Sequence, residues 1–308
     1  MRVLVTGATG FVGRHLLAAL RAGEHEPIAA GGPRDPSPAI ALELLDAAAV
    51  RRVVDAAAPD AIVHLAGQAF VPQSVADPLG TLAVNAGGTA HVLEAARVYR
   101  DRVRAPLRVL VVSSAEVYGI QRPDRMPLDE TAVVRPANAY AASKLAAEAY
   151  ALAWQRSYGL DVVVARPFNH IGPGQDVRFV VASFARQLAE IAAGAPSVMR
   201  VGNLEAQRDF LDVRDVVAAY LGLVANGRSG EVYNICSGRT VAIREVLRQL
   251  ITIARVPVEI RDDPERMRSS DLPVLSGDAA KLRAETGWEP RYSLAASLRD
   301  IYADARRG

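Results

Sequence analysis

The sequence is short of cysteine, lysine and aromatic residues, and its charges nearly cancel. Cys236 is the one cysteine in 308 residues, so an internal disulfide and a disulfide-stapled secreted fold are excluded. Lysine and arginine total 36 against 34 acidic residues, and a formal charge of +2 makes no electrostatic case for nucleic acid. No stretch approaches the roughly 20 apolar residues that a membrane span needs. The apolar start Val3-Leu4-Val5 is interrupted by Gly7, too early for a signal-peptide core, which points to the cytoplasm. His15, His25, His64, His91 and His170 are scattered without Cys or acid partners at ligand spacing, so no metal site is expected. The only lysines are Lys144 and Lys281, which marks them as places where arginine does not serve.

Half the residues are hydrophobic, ample for a large core. Short apolar runs at 2–6, 27–30, 61–66, 107–113 and 161–166 read as strands. Amphipathic helical patterns at 11–22, 47–58, 78–99 and 139–158 separate them. This alternation predicts parallel βαβ units in a sheet covered on both faces. After a Pro/Gly-rich loop at 167–176 the pattern is mixed. Helices are expected at 181–193, 215–225, 243–254 and 294–305, with strands near 198–201, 209–213, 231–235 and 258–261.

Three groups of residues carry chemistry. Gly7, Gly10 and Gly13 follow the first strand and open the first helix at Phe11 and Val12. Such a turn lets a pyrophosphate approach the backbone and meet the N–H groups of the helix start. In isolation it also reads as a glycine-rich turn without a ligand; its place after the first strand favours a dinucleotide. The second strand ends Ala30-Gly31-Gly32-Pro33-Arg34, with no carboxylate for a ribose 2′-hydroxyl. Arg34 suits a 2′-phosphate, which favours NADP(H) over NAD(H).

Tyr140 and Lys144 lie one helical turn apart on one face. An ammonium there is expected to lower the phenol pKa from about 10 and equip it to exchange a proton with a substrate oxygen. Alone, the spacing also fits an exposed helix pair. Ser114 and Glu116 follow a central strand, where open parallel sheets bind ligands. Ser114 can polarise a carbonyl, and Glu116 can contact a sugar or act as a base. Both also fit an ordinary turn.

Together, Gly7-x-x-Gly10-x-x-Gly13, Ser114 and Tyr140-x-x-x-Lys144 resemble the extended short-chain dehydrogenase/reductase family. The resemblance implies an α/β fold: a Rossmann-like doubly wound parallel sheet with a smaller C-terminal α/β substrate domain. Residues 1–166 and 212–237 would form the dinucleotide-binding part, and 167–211 and 238–308 the nucleotide-sugar part. It further implies cofactor contacts at Leu65, Ala66, Gly67 and Pro167, and at Glu43 and Leu44, where Glu43 replaces the usual Asp. The segments 166–175 and 202–210 look like those of GDP-sugar members. Substrate contacts are then implied at Ser114, Glu116, Asn169, Val180, Asn203, Arg208, Arg268 and Asp271. Arg268-Ser-Ser-Asp271 departs from the family's Arg-Pro-x-Glu.

The activity implied is NAD(P)H-dependent reduction of the C4 ketone of GDP-4-keto-6-deoxy-D-mannose to GDP-D-rhamnose. Tyr140 would be the acid, Lys144 its partner, and Ser114 the group on the ketone. The alternatives are a GDP-mannose 4,6-dehydratase using Glu116, another nucleotide-sugar epimerase or dehydratase, and a non-catalytic NADP(H)-sensing regulator. A homodimer through helices 78–99 and 139–158 is expected, with Leu82, Val92 and Tyr150 as contact candidates.

Overall fold

A computed structural model describes residues 1–32, 40–266 and 272–307. Strands β1 (Arg2–Thr6), β2 (Glu26–Gly31), β3 (Ile40–Ala41), β4 (Ala61–His64), β5 (Arg108–Val112) and β6 (Asp161–Pro167) are laid down first. Short strands β7 (Asn169–Ile171), β8 (Val198–Val201) and β9 (Gln207–Asp212) follow, then β10 (Val232–Ile235). The last are β11 (Thr240–Ala242), β12 (Glu259–Asp262) and β13 (Val274–Leu275). The main sheet is parallel and seven-stranded, in the order β10-β6-β5-β4-β1-β2-β3. Its order reverses between β1 and β4, where two βα turns part and leave a crevice at the carboxyl edge.

The helices of the first half are α1 (Phe11–Ala22), α2 (Ala47–Ala57), α3 (Val71–Ala76), α4 (Pro78–Leu82), α5 (Gly88–Val103) and α6 (Ala139–Tyr158). The second half adds α7 (Val180–Ala192), α8 (Val213–Asn226), α9 (Ile243–Ala254), α10 (Ala280–Thr286) and α11 (Leu294–Ala305). Several are capped by the residue type that stops a strand or loop. Asp46 accepts from Ala48 and Ala49 N–H, and Asn138 from Ala141 N–H. Gly159, at φ +61°, closes α6.

Strand side chains alternate between two cores. Val3, Val5, Val63, Leu110 and Val163 pack under α1 and α8. Leu4, Ile62, Val109, Val111 and Val162 pack under α2, α5 and α6. A third core joins α7, α9 and α11 to β8 and β9. There β9 pairs with β7, β11 and β13, and β8 pairs with β12. Lys281 is tied off at the rim of the sheet. Its Nζ donates to Glu231 Oε2 (2.6 Å) and Val232 O (2.8 Å), 4.6 Å from the centre of the Tyr233 ring. Among the described residues, no helix is long and apolar enough to cross a membrane.

Three expectations are corrected. The loop at 167–176 contains strand β7, which forms by pairing in parallel with β9 some forty residues away. The helix expected at 78–99 is interrupted by a π-helical turn, Ala83–Gly87, between α4 and α5. Val92 is not an outward-facing contact residue: it is 1% exposed and packs inward with Leu93 and Ala96, whereas Leu82 and Tyr150 face out.

Leu110 lies in the middle of β5, fully buried. Leu110→Ala is expected to cost about 2–5 kcal/mol of stability, read as a lower denaturation midpoint in urea.

Candidate active site

The crevice at the carboxyl edge opens into a cleft of about 910 Å³. That is at the upper end of small-molecule sites, roughly 300–1,000 Å³, and suits two ligands side by side. Its floor is made by residues that directly follow β1, β4, β5 and β6. Gly7 follows β1 with φ +69°, and a Cβ there would sit 2.8 Å from Ala66 N. A Cβ on Gly13 would sit 2.3 Å from Gly7 O. Only glycine permits this close approach of helix to turn. Helix α1 starts at Phe11 with no side-chain cap. Its first N–H groups therefore face the cleft as an anion cradle. These features fit the pyrophosphate of a dinucleotide.

Further along, Ser114 stands in extended backbone at the mouth of β5, and its Oγ accepts from Glu116 N–H at 3.2 Å. The Tyr140 phenol lies beside Ser114 in the cleft. Burial pushes that phenol up to about 12; the neighbouring Ser114 hydroxyl opposes the rise and the Glu116 charge adds to it. The sequence-based expectation of a phenol lowered by Lys144 is thus corrected, because desolvation dominates. Burial also pushes Lys144 down to about 8, against the charge of Glu148 one turn further along α6. Lys144 Nζ donates to Val112 O at 2.9 Å. At neutral pH the phenol keeps its proton and the ammonium its charge, the state suited to giving a proton away. Glu116 Oε2 accepts from Asn138 Nδ2 at 3.4 Å, so the cap of α6 also touches this carboxylate.

Sequence reasoning missed the polar frame behind these residues. Asn85, in the π-helical turn, accepts from Gln68 N–H (2.8 Å) and donates to Gln68 O (3.0 Å) and Ser143 Oγ (2.9 Å). Ser143 in turn donates to Tyr140 O at 2.7 Å. His64 bridges Thr6 Oγ1 (2.8 Å) and Thr89 Oγ1 (3.1 Å). Burial, helped by the Lys144 charge, pushes His64 down to about 3, so it is a neutral strut. Thr89 donates to Asn85 O and Thr6 accepts from Ala66 N–H, which fixes the His64 proton on Nε2. A buried Asn in an apolar helix was the one visible sign of this frame.

Most of the expected site residues meet in the cleft. Gly7, Gly10, Phe11, Val12 and Gly13 line one end with Leu44, Leu65, Ala66 and Gly67. Ser114, Glu116, Tyr140, Lys144, Pro167, Asn169 and Val180 line the other. His170 joins them, stacked on Phe11 at 6.2 Å between ring centres. Three residues stand elsewhere. Glu43 is exposed and accepts from Leu45 N–H at 3.2 Å. Asn203 is exposed, and its Oδ1 accepts from Glu205 N–H at 2.9 Å. Arg208 is buried and donates to Gln207 O (2.9 Å) and Leu272 O (2.5 Å). Arg34, Arg268 and Asp271 lie outside the described residues.

Known proteins share this fold. Residues 34–301 match the family model described as GDP-mannose 4,6 dehydratase. GDP-6-deoxy-D-mannose reductase of Pseudomonas aeruginosa is 43% identical over 306 residues, covering 98% of this chain and 96% of the relative. GDP-6-deoxy-D-talose 4-dehydrogenase of Aggregatibacter actinomycetemcomitans is 31% identical over 303 residues, covering 98% and 97%. The solved structure of RMD from Pseudomonas aeruginosa complexed with NADPH superposes with a TM-score of 0.88 at 40% identity, covering 100% of this chain and 99% of that one. With a glycine cradle, a Ser-Tyr-Lys set in one cleft and these relatives along its whole length, the chain belongs to the extended short-chain dehydrogenases/reductases, in the GDP-mannose 4,6 dehydratase family.

Proposed function

We propose that this protein is an NADP(H)-dependent reductase that converts GDP-4-keto-6-deoxy-D-mannose to GDP-D-rhamnose. One observation carries the reading: a protonated phenol, Tyr140, beside Ser114 in the cleft that continues from the glycine cradle. The 43% identity to a GDP-6-deoxy-D-mannose reductase supports the choice of substrate.

The residues divide the work as follows. Ser114 Oγ donates to the C4 carbonyl oxygen and polarises it. A reduced nicotinamide, when bound, supplies the hydride that adds to C4. Tyr140 Oη gives its proton to the same oxygen, so one hydride and one proton turn the ketone into an alcohol. The Tyr140 proton is then replaced from solvent. Lys144, held by Val112 O, keeps a positive charge beside the developing phenolate and binds the nicotinamide ribose. Gly31, Gly32 and Leu42 line the adenosine end, and no described residue there is a carboxylate. This supports NADP(H), with Arg34 as the 2′-phosphate partner on sequence grounds. Residues 167–211 and 238–308 are assigned to the sugar nucleotide, with Asn169 and Val180 on the cleft wall.

Assembly as a homodimer through α4–α5 and α6 is part of the same reading. Leu79 and Leu82 are exposed there, with Val75 of the preceding α3, as are Tyr150 and Tyr158, which sandwich Trp154 with ring centres 5.6 Å apart on each side. Large apolar groups clustered on an open face favour a partner.

A paired assay tests the activity. NADPH oxidation with a two-hydrogen mass gain on GDP-4-keto-6-deoxymannose is the expected result. Water loss from GDP-mannose instead would make the protein a dehydratase with Glu116 as its base. Tyr140→Phe is expected to lower kcat by about 10²–10⁴-fold while NADPH binding survives. The reductive rate is expected to be flat below pH 8 and to fall as pH rises through about 8, where Lys144 loses its proton; a rate that rises through this range would refute the role of the ammonium. Leu79→Glu with Tyr150→Glu is expected to halve the mass seen by light scattering, and a monomeric wild type would end the dimer reading.

A further inference from the structure

Beneath the cleft lies a buried ionic network that the proposed chemistry does not use directly. Arg166, near the end of β6, makes a two-pronged contact with Glu148 on α6: Nε to Oε1 at 2.9 Å and Nη2 to Oε2 at 2.7 Å. Both side chains are almost wholly buried. Glu148 Oε1 also accepts from Ser113 Oγ. Arg166 Nη1 donates to Tyr118 Oη at 3.0 Å, and Tyr118 Oη donates to Asn234 Oδ1 at 2.8 Å on the neighbouring strand β10. Asn234 is fixed by its own bonds to Glu130 Oε1 (2.7 Å) and Leu128 O (2.9 Å).

The placement of these contacts matters more than their number. Ser113 and Tyr118 are the two ends of the turn that carries Ser114 and Glu116. One ion pair therefore holds that turn at both ends. Its carboxylate sits on α6, one turn beyond Lys144 and two beyond Tyr140. Stability alone does not call for such a pair, because apolar side chains of similar volume often fold as well. What it supplies is a fixed relation between the turn and the helix.

We infer that Glu148 and Arg166, with Tyr118, are positioning residues that set Ser114 against Tyr140 by clamping both ends of the 113–118 turn to α6. The inference rests on the reductase reading for its kinetic consequence and on geometry alone for the clamp. Small displacements at a reacting centre are expensive: about 1 Å can cost on the order of 10²-fold in rate.

Two variants test it. Tyr118→Phe removes one hydroxyl and should fold; NADPH affinity and KM should stay unchanged while kcat falls about tenfold. Glu148→Met combined with Arg166→Met removes both charges together and so leaves no lone buried ion. The melting temperature of this pair should stay close to wild type, with kcat again at least about tenfold lower. Its crystal structure should show Ser114 Oγ withdrawn from Tyr140 Oη. Wild-type kcat in the paired variant, or an undisplaced Ser114 in its crystal structure, would overturn the inference. If the wild-type protein itself does not reduce the GDP-keto sugar, the reductase reading fails instead, and the position of Ser114 in that crystal structure decides the clamp by itself.

Discussion

A sheet covered on both faces has nowhere to put chemistry except its edge. The alternation of Val3, Leu4 and Val5, repeated in β4, β5 and β6, commits the apolar side chains of the central strands to one of two cores. Polar function is pushed to the residues that immediately follow the strands: Gly7, Leu65, Ser113-Ser114 and Phe168-Asn169. The glycine cradle and the Ser-Tyr-Lys set share one cleft because the strands that deliver them are parallel neighbours with their carboxyl ends on one side.

Local pattern made much of this legible in the sequence. Continuous apolar runs marked the central strands, and glycine spacing marked the cradle. A Tyr-x-x-x-Lys spacing placed two groups on one helical face. What stayed hidden depends on distant partners. Strands β7 and β13 have three and two residues, and neither has a period to read. They exist because β9 offers each an edge. An Asn in an apolar helix hints at a frame around Asn85, but its partner Ser143 and the pairing of Glu148 with Arg166 lie on other elements, and no local pattern names them.

The electrostatics carry a similar lesson. A lysine one turn from a tyrosine suggests a softened phenol, yet in the folded protein desolvation dominates and holds the Tyr140 proton in place. A group that keeps its proton until charge develops on the substrate suits reduction, in which the oxygen must receive one. The neutral His64 strut and the Asn85 frame serve the same end by keeping polar partners satisfied where water is excluded.

The scarcity of lysine has a practical side. Of the two lysine amines, one lines the cleft and the other is committed to Glu231 and a strand carbonyl. A reagent that acylates lysine thus meets no freely offered ε-amine: Lys144 is buried and donates to Val112 O, and Lys281 is only partly exposed. A tag that does reach Lys144 competes with occupancy of the cleft, whereas one on Lys281 must first displace Glu231 and leaves the cleft open.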